Sequence, residues 1–301
     1  MMAGPPAQKH PFKGRTLQVV DDLSTFEQAT VYNLARQLKD GLRKNDKELV
    51  DKFRLNDPNV TVYLMFLENS TRTKESFRNA AEFHNCKVNV FDASTSSFKK
   101  NETVTDCIKM LVGYSTDQSL FVIRSPQEGT CRWLDDSISS LYCPQHGLPR
   151  SSFLNAGDGR HEHPTQELLD EFSFLEHKNW DRSEIHVALI GDLFHGRTVH
   201  SKADGLKIFG KVVVDLVAPD ELQMPPSYVS KMRKQGFTIN FYKSIDEYLA
   251  SGKVSKLWYF TRLQLERMGD RVKDKAGDLR KAVQFRHEYI FDFFLNCLNL
   301  F

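Results

Sequence analysis

Short apolar runs of strand length, each closing on a polar or glycine-rich turn that opens a helix-like stretch, recur along this chain and limit its fold more than any other feature. Residues 60–67 (VTVYLMFL) form the first such run and end at Glu68-Asn69-Ser70-Thr71, a cluster able to cap the next helix. Further runs at 87–92, 119–124 and 153–157 are separated by segments with helix-start signals, and the rhythm restarts at 185–190, 211–217, 238–242 and 256–260. Strands that alternate with helices predict parallel sheets joined by helical crossovers, so the expected class is α/β. Ahead of the first run, Ser24 with Glu27 three positions on makes a capping box, and Ala29, Val31, Leu34, Leu38 and Leu42 recur at helical spacing.

A chain of 301 residues has room for two domains that each bury a core. The stretch from Pro164 to about His177 has proline near a helix start and an apolar stripe of Leu168, Leu169, Phe172 and Leu175, which suits a helix crossing between lobes. The expected organisation is a flexible leader at 1–14, one domain over 15–163, a second over 164–290, and an apolar tail at 291–301. The 41 Lys and Arg nearly balance the 39 Asp and Glu, so no global field marks a nucleic-acid or membrane binder. Lys231, Arg233 and Lys234 read as a solvated helix face without aromatic partners. With no signal peptide at the start and no apolar run of membrane-spanning length, a cytosolic location is expected. The five cysteines are scattered, without C-x-x-C spacing, and are expected to be reduced and structural.

Residues able to hold anions fall at the strand-to-helix junctions. Ser70-Thr71-Arg72-Thr73 brings hydroxyls, free backbone N–H groups and a guanidinium to a helix start, which suits a phosphate, although Ser70 or Thr71 as a plain helix cap is the blander alternative. Ser96, Lys99 and Lys100 lie in a polar stretch before a helix expected to be capped by Thr103 with Asp106; alone, such lysines are usually just solvated. Arg124 follows its strand directly, where open α/β sheets bind ligands, and is otherwise a surface arginine. Asn155-Ala156-Gly157-Asp158-Gly159 leads into His163-Pro164-Thr165-Gln166, whose His163 and Gln166 can donate hydrogen bonds to a carbonyl oxygen; His161 is expected to face solvent. In the second half, Arg197 follows Gly196, and Arg262 and Gln264 follow the last strand, where either also has Glu266 as a local alternative partner. The Gly191 to Gly196 stretch is not G-x-G-x-x-G, which disfavours a dinucleotide.

In sequence order, residues 66–77 (FLENSTRTKESF), 95–103 (TSSFKKNET), 124–129 (RSPQEG), 154–170 (LNAGDGRHEHPTQELLD), 188–201 (ALIGDLFHGRTVHS), 218–225 (APDELQMP) and 261–267 (TRLQLER) resemble the catalytic chain of aspartate carbamoyltransferases, over roughly residues 15–290. The resemblance implies two parallel-sheet α/β domains linked by an interdomain helix, the first binding carbamoyl phosphate and the second aspartate. It implies that Ser70, Thr71, Arg72 and Thr73 hold the phosphate, with Arg124, His163 and Gln166 around the carbamoyl group. It further implies that Ser96 and Lys100 enter from a neighbouring subunit of a homotrimer, with Lys100 reaching both substrates. Arg197, Arg262 and Gln264 bind the aspartate carboxylates in that picture, and Glu68 pairs with Arg197 on domain closure. No metal and no cofactor is implied, and a separate regulatory chain is left open. Ornithine carbamoyltransferases share the phosphate-binding half, but their His-Cys-Leu-Pro motif is absent here. After Glu288 the family continues to a His-Pro-Leu-Pro-Arg loop and a helix returning to the first domain. This chain carries FDFFLNCLNLF at 291–301 instead, so the returning helix is expected to be missing or replaced, and a catalytically impaired or non-catalytic relative is the alternative.

Overall fold

The computed structural model describes residues 12–91, 102–115, 117–264 and 274–290. The apolar tail, Ser96, Lys99 and Lys100, and the leader up to Pro11 lie outside the described residues. Packing divides the chain into two compact units, and the division falls inside the helix Pro164–His177, between Leu168 and Leu169.

The first unit holds a four-stranded parallel sheet made of β1 (Thr61–Phe66), β2 (Lys87–Phe91), β3 (Ser119–Ser125) and β4 (Ser152–Asp158), in the order β2-β1-β3-β4. Alternate residues of β1 and β3 face opposite layers, as strand geometry requires. Val62, Leu64 and Val122 pack with Ala81 and Ala156 in one layer. Tyr63, Met65, Phe121 and Ile123 pack with Ile108, Leu134 and Phe153 in the other. Strands buried on both faces, as β1 and β3 are, need near-continuous apolar sequence, which is why their runs stand out. The buried Cys107, Cys131 and Cys143 are free thiols, and burial raises the Cys131 thiol well above its ordinary range.

The second unit repeats the plan with β5 (Glu184–Gly191), β6 (Lys211–Val217), β7 (Thr238–Tyr242) and β8 (Leu257–Thr261), in the order β7-β6-β5-β8, again all parallel. Its one buried acid on a strand, Asp215, accepts hydrogen bonds from His186 Nε2 (2.5 Å), Tyr248 Oη (2.7 Å) and Asn240 Nδ2 (2.8 Å), so the charge is not left unpaired.

The first helix, Thr25–Arg43, starts as expected: Ser24 Oγ accepts from Glu27 N (3.2 Å) and Glu27 Oε2 accepts from Ser24 N (2.8 Å). Its buried side differs from the apolar stripe. Leu34 and Leu42 are exposed, whereas Gln28, Tyr32 and Gly41 are buried. The short helix Lys47–Asp51 closes over Gly41, where a Cβ would meet Leu49 Cδ2 at 3.2 Å, and Gln28 donates to the Leu23 carbonyl (3.2 Å). Tertiary partners therefore chose the inward face, and periodicity alone gave only the helix.

Gly191 ends β5 at a φ of +122°, and a Cβ there would stand 2.1 Å from the Thr261 carbonyl oxygen of its register partner on β8. Gly191→Ala combines a disfavoured backbone with a backbone clash, so it is expected to cost more than about 2 kcal/mol of stability. Thermal unfolding checks this, and a melting temperature unchanged within about 1 °C contradicts the packing.

Candidate active site

Strand order singles out one place at the edge of each sheet. In the first, the chain leaves β1 for β2 on one side and β3 for β4 on the other, so the switch point lies between the adjacent strands β1 and β3. Ligands of open α/β sheets bind beyond the carboxyl ends of the strands at such a point.

Two elements whose chemistry suits an anion flank it. After β1 the chain enters the helix Thr71–Phe83, with Ser70 at its cap in an extended conformation (φ −159°, ψ 110°) and no side-chain capping bond. The Ser70 hydroxyl is therefore not spent on the helix end, which goes against the plain-cap reading. Thr71 and Arg72 are exposed and Thr73 is half-buried, so hydroxyls, first-turn N–H groups and a guanidinium stand together where the helix dipole favours an anion. Across the switch point, Arg124 pairs in register with Phe66, and its carbonyl accepts from Leu67 N (2.8 Å). The Arg124 side chain is 16% exposed, and its Nε lies 3.4 Å from Glu68 Oε2. Glu68, which the resemblance pairs with Arg197 on closure, thus stands beside Arg124 here.

His163 follows β4 and is buried. Its carbonyl accepts from Gln166 N and Glu167 N, both at 3.0 Å, which starts the helix Pro164–His177. Its Nδ1 lies 3.2 Å from Gln166 N. A backbone N–H only donates, so Nδ1 is the acceptor and the neutral ring carries its proton on Nε2. That leaves Nε2–H as a donor, the form needed to polarise a carbonyl oxygen without proton transfer.

The expectation that His161 faces solvent does not hold. Its Nδ1 lies 3.2 Å from Oδ2 of the buried Asp158, and that hydrogen bond raises its pKa against the opposing effect of burial. The acid two positions beyond Ala156, read in the sequence only as part of a glycine turn, gathers the donors around it.

In the second unit the chain leaves β5 for β6 on one side, while β8 lies on the other, so the switch point falls between β5 and β8. Arg197 opens a short helix just after β5 and is buried, Arg262 is exposed just after β8, and Gln264 is buried two residues on. The fully buried Asp192 ties the two loops together: it accepts from His195 N (3.0 Å) and His195 Nδ1 (3.0 Å), and from Gln264 N (3.1 Å). Gln264 Nε2 in turn donates to the His195 carbonyl (2.8 Å), so one amide proton of that side chain already has a protein partner. Asp192 and His195 were not foreseen; their only sequence signal is an acid directly after a strand-ending glycine. Lys202 was also missed. It is fully buried, 3.0 Å from Asp170 and 3.9 Å from Glu171, between the Phe174 and Tyr259 rings, and it anchors the segment that follows Arg197.

Residues 15–176 match the family model for the aspartate/ornithine carbamoyltransferase carbamoyl-P binding domain, which spans more than half of the chain. The chain belongs to the aspartate/ornithine carbamoyltransferase family. Among relatives of this carbamoyltransferase-family chain is protein PyrBI of Thermotoga maritima, 56% identical over 285 residues, covering 94% of this chain and 53% of the relative. Protein PyrBI of Treponema denticola is 51% identical over 279 residues, covering 93% of this chain and 52% of the relative. The chain thus spans about half the length of these curated relatives. In fold, this family member is similar to aspartate transcarbamoylase from Trypanosoma cruzi in complex with N-(phosphonacetyl)-L-aspartic acid. That match has a TM-score of 0.75 and 28% identity, and covers 91% of this chain and 79% of that one. No helix among the described residues of this family member is long and apolar enough to cross a membrane.

Proposed function

We propose that the chain transfers the carbamoyl group of carbamoyl phosphate to the amine of L-aspartate, giving N-carbamoyl-L-aspartate and phosphate. The observation that carries this reading is the first sheet's edge, where a phosphate-suited helix start, the Arg124 guanidinium and the Nε2–H of His163 follow three neighbouring parallel strands. Ser70, Thr71, Arg72 and Thr73 hold the phosphate. Thr73, Arg124 and His163 share the carbamoyl oxygen, with Gln166 beside the carbamoyl group. The deprotonated amine attacks the carbamoyl carbon, a C–N bond forms, and negative charge gathers on the oxygen these donors hold. The C–O bond to phosphate then breaks, and phosphate leaves with the electron pair and takes up the proton lost by the attacking nitrogen, with no covalent enzyme intermediate.

Arg197, Arg262 and Gln264 receive the two carboxylates of aspartate. A pair of arginines suits a dicarboxylate and not the amine-tipped side chain of ornithine, which favours aspartate within the family. A non-catalytic relative is the less favoured reading, because the chain keeps chemistry-bearing residues at both sheet edges. The activity belongs to pyrimidine biosynthesis in the cytoplasm, and the working unit is a homotrimer in which Ser96 and Lys100 of one subunit complete the site of the next. The aspartate subsite is tested by Arg262→Ala, which removes a charge-assisted contact and is expected to raise the KM for aspartate by about 10-fold or more. Initial rates with each substrate varied in turn check this, with the KM for carbamoyl phosphate expected to stay within about 2-fold. Equal losses for both substrates would contradict separate subsites.

A further inference from the structure

Asp158 is 2% exposed and has none of the roles given above. We propose that Asp158 is a positioning residue for carbonyl polarisation, its carboxylate fixing the loop that follows Arg124 against the turn that carries His163. The inference rests on the carbamoyl-transfer reading and adds a residue to its machinery.

The two segments meet on the two oxygens of one carboxylate. Oδ2 accepts from Gly129 N (2.7 Å), at the end of the loop that begins after Arg124. Oδ1 accepts from Glu162 N (3.0 Å), the residue immediately before His163. Gln18 Nε2 (2.7 Å) and His161 Nδ1 (3.2 Å) add to Oδ2, and Asn155 Nδ2 (3.0 Å) adds to Oδ1. Only an ionised carboxylate accepts at both positions, because an amide would turn its NH2 against N–H donors in either orientation. Burial works against the charge, but the bonds from His161, Gly129, Asn155 and Glu162 outweigh it and hold the Asp158 pKa below its ordinary value. The acids facing His161 are Asp158, Glu162 and Glu128, so a proton gained by the ring is stabilised from both segments.

The main chain leaves little slack between them. Gly159 N donates to the Ser125 carbonyl (2.9 Å) and Asp158 N to the Glu162 carbonyl (3.1 Å). A Cβ at Gly159, whose φ is +46°, would meet the Pro126 carbonyl oxygen at 2.9 Å. A shift of either segment is therefore passed to the other, and with it the spacing between the Arg124 and His163 donors. Misplacing such donors slows the chemical step more than it weakens binding.

The test is steady-state kinetics of Asp158→Asn beside the natural chain, with circular-dichroism melts of both. The expected result is a kcat lower by about 100-fold with the KM for aspartate within about 2-fold, in a folded protein. A folded Asp158→Asn protein with kcat within about 3-fold of natural overturns the inference, as does an equal loss in kcat and in the affinity for both substrates. If that variant does not fold, the half-exposed His161 decides. His161→Glu sets a second carboxylate against Asp158, whereas His161→Gln keeps a donor there. A kcat for His161→Glu at least about 10-fold below that of His161→Gln supports the role, and equal values overturn it. The natural chain is the control for the reading beneath: if it forms no carbamoyl aspartate, that reading fails and the positioning role falls with it, whereas an active natural chain with an unimpaired variant sinks the positioning role alone.

Discussion

Arg124→Ala is expected to lower kcat for carbamoyl transfer by about 100-fold to 1000-fold, the usual cost of deleting one preorganised oxyanion donor. The size of the effect follows from its setting. The Arg124 side chain is 16% exposed at the end of β3, where restricted access of water strengthens its interaction with a developing oxyanion. Arg124 Nε also lies 3.4 Å from Oε2 of Glu68, whose side chain is 25% exposed. Losing that ion pair costs little, because water reaches the acid, so the variant is expected to stay folded. Rate and fold should therefore separate, and kinetics beside a thermal melt will read both. Near-normal turnover in a folded Arg124→Ala protein would remove Arg124 from the chemistry and with it the proposed arrangement at the first sheet edge.

The second large effect is a gain. In the proposed trimer, Lys100 of one subunit serves the site whose phosphate is held by Arg72 of its neighbour. Lys100→Ala and Arg72→Ala proteins should each be nearly inactive. Random reassembly of equal amounts gives about a quarter of the interfaces both natural residues, so activity should return to about a quarter of the natural level. Native mass measurement verifies the subunit exchange. Verified mixed trimers without recovered activity would place Lys100 and Arg72 in the same subunit's site, or Lys100 outside it.

The architecture was legible in the sequence for a physical reason. The strands β1, β3, β4, β5 and β6 are buried along most of their length and so must be largely apolar, whereas β2, β7 and β8 are only partly buried; the strands among the described residues begin and end close to the apolar runs that announced them. Local hydrogen-bond chemistry was equally legible at Ser24 with Glu27, and at Thr103, whose Oγ1 accepts from Asp106 N (3.1 Å). What escaped was set by partners distant in sequence. Gln18 and Asp158 are 140 residues apart, and Asp192 and Gln264 are 72 apart, yet each pair forms a direct hydrogen bond. Such pairs leave no periodicity behind them. His161 was misread for the same reason: beside a glycine-rich turn a histidine looks wholly solvent-facing until the buried acid it bonds is seen to be held by Gly129 and Gln18 as well. The edge arginines Arg124, Arg197 and Arg262 were visible because each falls at or soon after the carboxyl end of an apolar run, where open α/β sheets bind ligands.

The most direct test of the central claim is an assay for N-carbamoyl-L-aspartate made by the purified 301-residue chain from carbamoyl phosphate and L-aspartate, with L-ornithine as the competing acceptor. The account predicts product that requires both substrates, is lost in Arg124→Ala, and is not matched by carbamoylation of ornithine. A folded natural chain that yields no carbamoyl aspartate above the protein-free reaction, or that prefers ornithine, would contradict it.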